Sequence, residues 1–137
     1  MPHYLLDART ATPHFPGIGR YVRSLAAAML PLLRRDERLI LLVDPQQPLR
    51  LDGATSLPLD ASPFSPAQQW RVPQAVKAQR ADLYHSPYYL MPYLPGAATV
   101  LTVYDVIPLR YPQFSSARSR LLFRLTTRLA LRAAKQV

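Results

Sequence analysis

A chain of 137 residues that is 49% hydrophobic can bury a core, which excludes a wholly disordered protein and fits a single domain. The lack of cysteine excludes disulfides and thiolate metal sites, and no run nears the roughly eighteen apolar residues of a membrane span. The formal charge of +9 is unevenly placed: residues 1–105 hold ten Lys/Arg and all eight acids, net +2, while residues 106–137 hold seven Lys/Arg and no acid, net +7. A cationic end of this kind points to a polyanion nearby, such as nucleic acid, an anionic membrane face or a phosphorylated ligand. The start lacks a charged region leading into an apolar run, so the expected compartment is the cytoplasm.

In chain order, "HYLLDA" (3–8) reads as a buried strand, and "TATPHFPGIG" as a turn-rich loop. From Gly19 to Arg35, Val22, Leu25, Ala26, Met29 and Leu33 keep helical spacing, with Pro31 expected to split the last turn. "RLILLV" (38–43) is apolar throughout, as strands covered on both faces are, and "TSLPLD" (55–60) is a short strand candidate. A helix is expected near 66–79 despite Pro73, then a strand at "DLYHS" (82–86) and the loop "PYYLMPYLPGA". "TVLTVYDVI" (99–107) is the strongest strand signal because it is dense in β-branched residues. "PLRYPQF" reads as loop, and Ser115 or Ser116 caps a final helix reaching about Lys135. Alternation of apolar strands with helices predicts an α/β domain over 1–137: a Rossmann-like parallel sheet with helices on both faces. Ligands of such sheets sit beyond the carboxyl ends of the strands, so loops 9–18, 44–54, 86–96 and 105–114 are expected around one cleft.

The stretch "HFPGIGRY" holds two of only four glycines. Strand, glycine turn, helix is an arrangement that aims unpaired backbone N–H groups at an anion, and Arg20 adds donors in the first turn. The third glycine of the dinucleotide fingerprint is lacking, and no GK[ST] comes after it as in a Walker loop. The plain alternative is that Gly17 and Gly19 merely turn the chain.

The ordered combination of "LLDARTATPHFPGIGRYVRSLAAAML", "ADLYHSPYYLMP" and "TVLTVYDVIPLRYPQF" with its Arg-rich helix resembles the amino-terminal half of group 1 (family 4) glycosyltransferases. The resemblance covers nearly the whole chain. It implies the amino-terminal half of a GT-B fold, whose two Rossmann-like domains enclose the active site. It further implies transfer of a hexose, mannose among the candidates, from a nucleotide-sugar to a polysaccharide or lipid-linked acceptor. Anomeric configuration is retained, and neither a cofactor nor an obligatory metal is expected. By the resemblance, Gly17, Ile18, Gly19 and Arg20 face the donor diphosphate. Tyr104 stands where many relatives have a His that contacts the transferred sugar, and Asp105 keeps its family place. Tyr104 can hydrogen-bond a sugar hydroxyl but is a poor base near pH 7. Asp105 can equally well brace the loop after its strand.

His85 comes at the end of a strand and is a candidate acceptor contact, as are Tyr88 and Tyr89, although tyrosines in a Pro-rich loop also serve to pack it. His3, His14 and His85 have no zinc-like spacing. Arg120, Arg124, Arg128 and Arg132 recur every fourth residue, with Leu122, Leu125, Leu129 and Ala133 on another side. This is either a solvated outer face or a surface for an anionic membrane, which places the protein on the inner membrane face. Nucleic acid is not expected, since aromatic and basic residues do not interleave.

The family's carboxy-terminal domain carries two glutamates eight positions apart, whereas this chain has one glutamate, Glu37. The expectation is therefore an acceptor-side domain that needs a separate nucleotide-binding half and is silent alone. The competing class is a stand-alone Rossmann-like module that binds a partner protein or a polyanion.

Overall fold

Every apolar run expected to be a strand is one in the computed structural model, which describes residues 1–137. The strands are β1 (His3–Asp7), β2 (Arg38–Val43), β3 (Thr55–Pro58), β4 (Leu83–Ser86) and β5 (Ala98–Leu101). They form one all-parallel sheet in the order β3-β2-β1-β4-β5, with Leu5 opposite both Ile40 and Tyr84. Four helices accompany them: α1 (Pro16–Met29), α2 (Gln68–Ala78), α3 (Ile107–Arg110) and α4 (Ala117–Ala133).

Alternate side chains leave the sheet in opposite directions, and each set finds helices. Leu5, Ile40, Leu42, Tyr84 and Leu101 pack with Val72, Ala75 and Val76 of α2 and Ala130 of α4. Leu6, Leu39, Leu41 and Val43 pack with Val22 and Ala26 of α1. Complete burial of one such aliphatic chain is worth about 1.5–3 kcal/mol, so both faces hold the sheet between layers. This is the expected Rossmann-like α/β fold.

Three boundaries differ from expectation. α1 begins at Pro16, three residues before Gly19, because proline fits the first helical position, where its missing N–H is no loss. β5 stops at Leu101 although apolar residues continue to Ile107. Thr102 N–H still reaches the Ser86 carbonyl, but Pro87 ends β4, and residues 103–107 are left without a strand to pair with. Segment 107–114, expected as loop, makes the short helix α3 and one 3₁₀ turn. Pro31 acts as predicted: the chain tightens into a 3₁₀ turn at Leu30–Leu32. Ser116 is the cap of α4, accepting from Ser119 N–H at 3.1 Å.

The sheet margins are unlike each other. β3 is four residues long and ends in Pro58. Beyond β5, Gln136 makes a single parallel bridge to Val100, with Leu101 N–H donating to the Gln136 carbonyl at 2.9 Å.

Candidate functional site

The connections leave β1 in one direction and reach β4 in the other, so the crevice of the sheet lies at their carboxyl ends. The only ion pair of the protein is there. Arg9 Nε and Nη2 donate to Asp7 Oδ1 and Oδ2 at 2.9 and 2.6 Å, and the Tyr84 hydroxyl donates to Oδ2 at 2.8 Å. Arg9 also donates to the Ala61 carbonyl and to Gln68 Oε1. Burial opposes ionisation of Asp7, yet the Arg9 charge and the bonds from Arg9 and Tyr84 outweigh it and hold the carboxyl below its usual range. Burial, with Asp7 adding to it, pushes the Tyr84 phenol well up, so it stays a donor. Sequence reading missed this network; its signal was two charges, Asp7 and Arg9, at the end of an apolar run.

The loop so anchored presents its backbone to α1. A Cβ on Gly19 would stand 3.1 and 3.2 Å from the carbonyl oxygens of Thr10 and Thr12, so this glycine serves close packing. Gly19 is buried, and its N–H donates to the Phe15 carbonyl at 2.7 Å, which corrects its expected contact with a ligand. Gly17 differs: it is exposed, and a Cβ there would meet nothing within 4 Å. Neither residue has positive φ, so neither uses glycine's conformational freedom to turn the chain. Phe15 offers no side-chain cap, and the N–H groups of Gly17 and Ile18 have no partner. Arg20 is exposed but lines a groove with Arg23 and Pro13, beside Gly19.

Tyr104 reaches this helix end from the loop after β5, its hydroxyl donating to the Gly17 carbonyl at 3.4 Å. Its ring lies edge-on to Tyr21 at 5.7 Å. Tyr21 Oη is 3.1 Å from Thr102 Oγ1, which is 2.9 Å from His85 Nε2. The structure thereby joins Gly17, Tyr104 and His85 through two residues, Tyr21 and Thr102, that sequence reading did not single out. Burial lowers the His85 pKa, against a smaller opposing pull from Asp7, so the ring is neutral near pH 7. Half-buried and held by the Thr102 hydroxyl that Tyr21 shares, His85 is a brace within this network. Asp105 is exposed, and its Oδ1 accepts from Ile107 N–H at 2.6 Å, which makes it the brace of the loop entering α3.

Tyr88 and Tyr89 belong to an aromatic row running Phe15, Phe64, Tyr88, Tyr89, Phe123, with successive ring centres 5.5, 5.8, 4.5 and 4.7 Å apart. Burial, then Tyr89, raises the Tyr88 pKa. The row packs the loop after β4 onto α4. Beside its Phe15–Phe64 end opens a cleft of about 650 Å³, bounded by residues 9–15, 44–47 and 59–64. Two of the four loops expected around one cleft meet here, joined by a third stretch, 59–64, that sequence reading left out. The other two lie on the Tyr88 side.

α4 meets the sheet through one aromatic and two small side chains. Phe123, Thr127 and Ala130 turn inward, and Leu122, Leu125 and Leu129 are 60%, 53% and 42% exposed. Small Thr127 and Ala130 let the helix approach the sheet where leucine would hold it off. Arg124, Arg128 and Arg132 are exposed beside those leucines. Arg120 is not: its guanidinium donates to the carbonyls of Pro112 and Ser115 and closes the preceding turn. No helix is long and apolar enough to cross a membrane. The single glutamate, Glu37, sits at the amino edge of the sheet, accepting from the Tyr4 hydroxyl and Arg34 N–H. His3 is also at that edge, bonded to the Gln79 carbonyl, far along the strand from His85. No protein-family model, no curated protein and no solved structure matches this chain.

Proposed function

We propose that this chain is the acceptor-side half of a retaining glycosyltransferase that moves a hexose from a nucleotide-sugar to a glycan or lipid-linked acceptor. The observation that carries the reading is Gly17. A glycine in a helical position costs about 0.5–1 kcal/mol relative to alanine. Here neither packing nor backbone conformation requires one. What its missing side chain does provide is open access to the unpartnered N–H groups of Gly17 and Ile18 at the positive end of α1. A diphosphate gains charge as the sugar leaves it, and fixed donors act best on charge that develops in the transition state. Tyr104, whose hydroxyl donates to the Gly17 carbonyl at the same helix end, would hydrogen-bond the transferred sugar.

The nucleotide base and ribose would be held by a second domain bearing the glutamate pair that this chain lacks, and the chain alone is catalytically silent. With lipid-linked acceptors, the outward arc of α4 would rest on the anionic cytoplasmic face of the membrane through Arg124, Arg128 and Arg132. Amide-resolved NMR with inorganic pyrophosphate and with nucleotide-sugars tests the central claim. Shifts centred on Gly17 and Ile18, abolished by Gly17→Val in a folded protein, are expected. Shifts elsewhere, or full transferase activity of the two-domain enzyme carrying Gly17→Val, would overturn it. Capture of a folded partner by α4 with no response to pyrophosphate would favour the stand-alone binding module.

A further inference from the structure

We infer that the groove of about 350 Å³ between the loop after β1 and the outer arc of α1 binds a phosphomonoester, held by Arg20 and Arg23. This is a second anion site, separate from the amides of Gly17 and Ile18, and it does not depend on the transferase reading.

Geometry is the first argument. Pro16, Arg20 and Arg23 recur at spacings of four and three, with Ser24 beside them, so they share one arc of α1 and border the groove with Thr12 and Pro13. Gly17 and Tyr21 occupy the neighbouring arc, the one that meets Tyr104, and neither lines the groove. Gly19 lets the loop lie against the helix, which gives the groove its floor. Exposed Pro13 and Pro16 border it with fixed backbone.

Charge is the second. Arg20 and Arg23 are exposed, and neither has an ion pair. No Asp or Glu occurs from Ala8 to Arg35, so the adjoining chain supplies no counter-charge. Two guanidiniums three residues apart on a helix repel each other, and an anion between them removes that repulsion. Arg23 is already fixed, since its Nη2 donates to the Ala11 carbonyl at 2.8 Å, and its other N–H groups meet a ligand with little further ordering. Thr12 is 7% exposed and lines the groove, and its hydroxyl, like that of Ser24, has no partner within the protein. Two guanidinium forks and two hydroxyls suit the three acceptor oxygens of a phosphate group. No aliphatic or aromatic side chain lines the groove apart from proline, so the phosphate carries the recognition and the rest of the ligand faces solvent. That group is common to soluble metabolites and to lipid headgroups, and the test separates the two.

The test is an amide-resolved NMR titration of this chain in about 0.15 M salt with glycerol phosphate, a soluble short-chain phosphatidic acid, and glycerol as the uncharged control. Glycerol phosphate should shift Thr12, Arg20, Arg23 and Ser24 saturably with a dissociation constant of about 1 mM, and glycerol should not. Tighter binding of phosphatidic acid at the same residues would assign the site to a headgroup, and weaker or equal binding to a soluble metabolite. Arg20→Gln should weaken glycerol phosphate by about tenfold while pyrophosphate still shifts Gly17 and Ile18. Gly17→Val should leave the glycerol phosphate response in place. No saturable shift, shifts spread over all the arginines of the chain, a response unchanged by Arg20→Gln, or loss of both responses in either variant would overturn the inference. The two anion sites are read at different residues, so this inference and the transferase reading fail separately.

Discussion

Replacing Asp7 by Asn tests whether the crevice rests on one buried charge pair. Asp7 accepts from Arg9 Nε, Arg9 Nη2 and the Tyr84 hydroxyl at 2.9, 2.6 and 2.8 Å, and Arg9 is 2% exposed. The substitution keeps the shape and removes the charge, leaving a guanidinium buried without its counter-ion, which costs about 3–5 kcal/mol. With a urea slope of about 2 kcal/mol per M, the unfolding midpoint should fall by about 2 M. Adding Arg9→Met should recover part of that loss, since the double variant buries no unpaired charge. The acid limb gives a second readout. The folded pKa of Asp7 is depressed below the unfolded value of about 3.9, so the unfolded chain binds more protons between the two. Its stabilisation is complete above the unfolded pKa and is lost as pH falls through the folded one. Asp7→Asn should flatten stability against pH below about pH 4. A midpoint shift under about 0.5 M, or an acid limb as steep as before, would refute the argument.

The two glycines of α1 should separate cleanly. Gly19→Ala drives a Cβ against two backbone carbonyls and should cost about 1–3 kcal/mol, whereas Gly17→Ala should be neutral or stabilise by up to about 1 kcal/mol in the same urea assay. Phe123→Ala should cost about 3–5 kcal/mol and Leu125→Ala under about 0.5, the reverse of what a leucine-buried α4 would give. Thr102→Val removes the hydroxyl shared by Tyr21 and His85, and thermal unfolding should show a loss of about 1 kcal/mol. Sedimentation with anionic vesicles should be lost in Arg124→Glu plus Arg128→Glu, while Arg120→Gln should lower stability and leave vesicle binding intact; the opposite pattern would exclude this arc as the contact.

Strands and layers were legible because their signal is local. Continuous apolar runs such as "RLILLV" pair wherever they are covered on both faces, and Pro16 or Ser116 marks a helix start within a few residues. The misreadings came from partners distant in the chain. Residues 103–107 keep a strand-like composition, yet pairing is decided at Pro87, which ends the neighbour. Which side of α4 meets the sheet is set by the neighbour as well: small Thr127 and Ala130 allow a close approach, and Leu122, Leu125 and Leu129 stay outside. The site divides in the same way. That the first helix start and the segment after β5 would meet was readable, and Tyr104 does reach Gly17. That Arg9 would collect Asp7, Ala61 and Gln68 was not, since groups converging from a strand end, a loop and a helix start leave no periodicity.

The unequal margins of the sheet give the domain a direction of growth. On the β3 side, a short strand closing on a proline has little ladder to offer an incoming segment. On the β5 side, only the Lys135–Gln136 step occupies the backbone groups of Thr99 and Leu101. Any enlargement of this sheet, by further chain or by a neighbouring molecule in a concentrated solution, is therefore channelled to one flank, and assembly into an unlimited ribbon through both is suppressed.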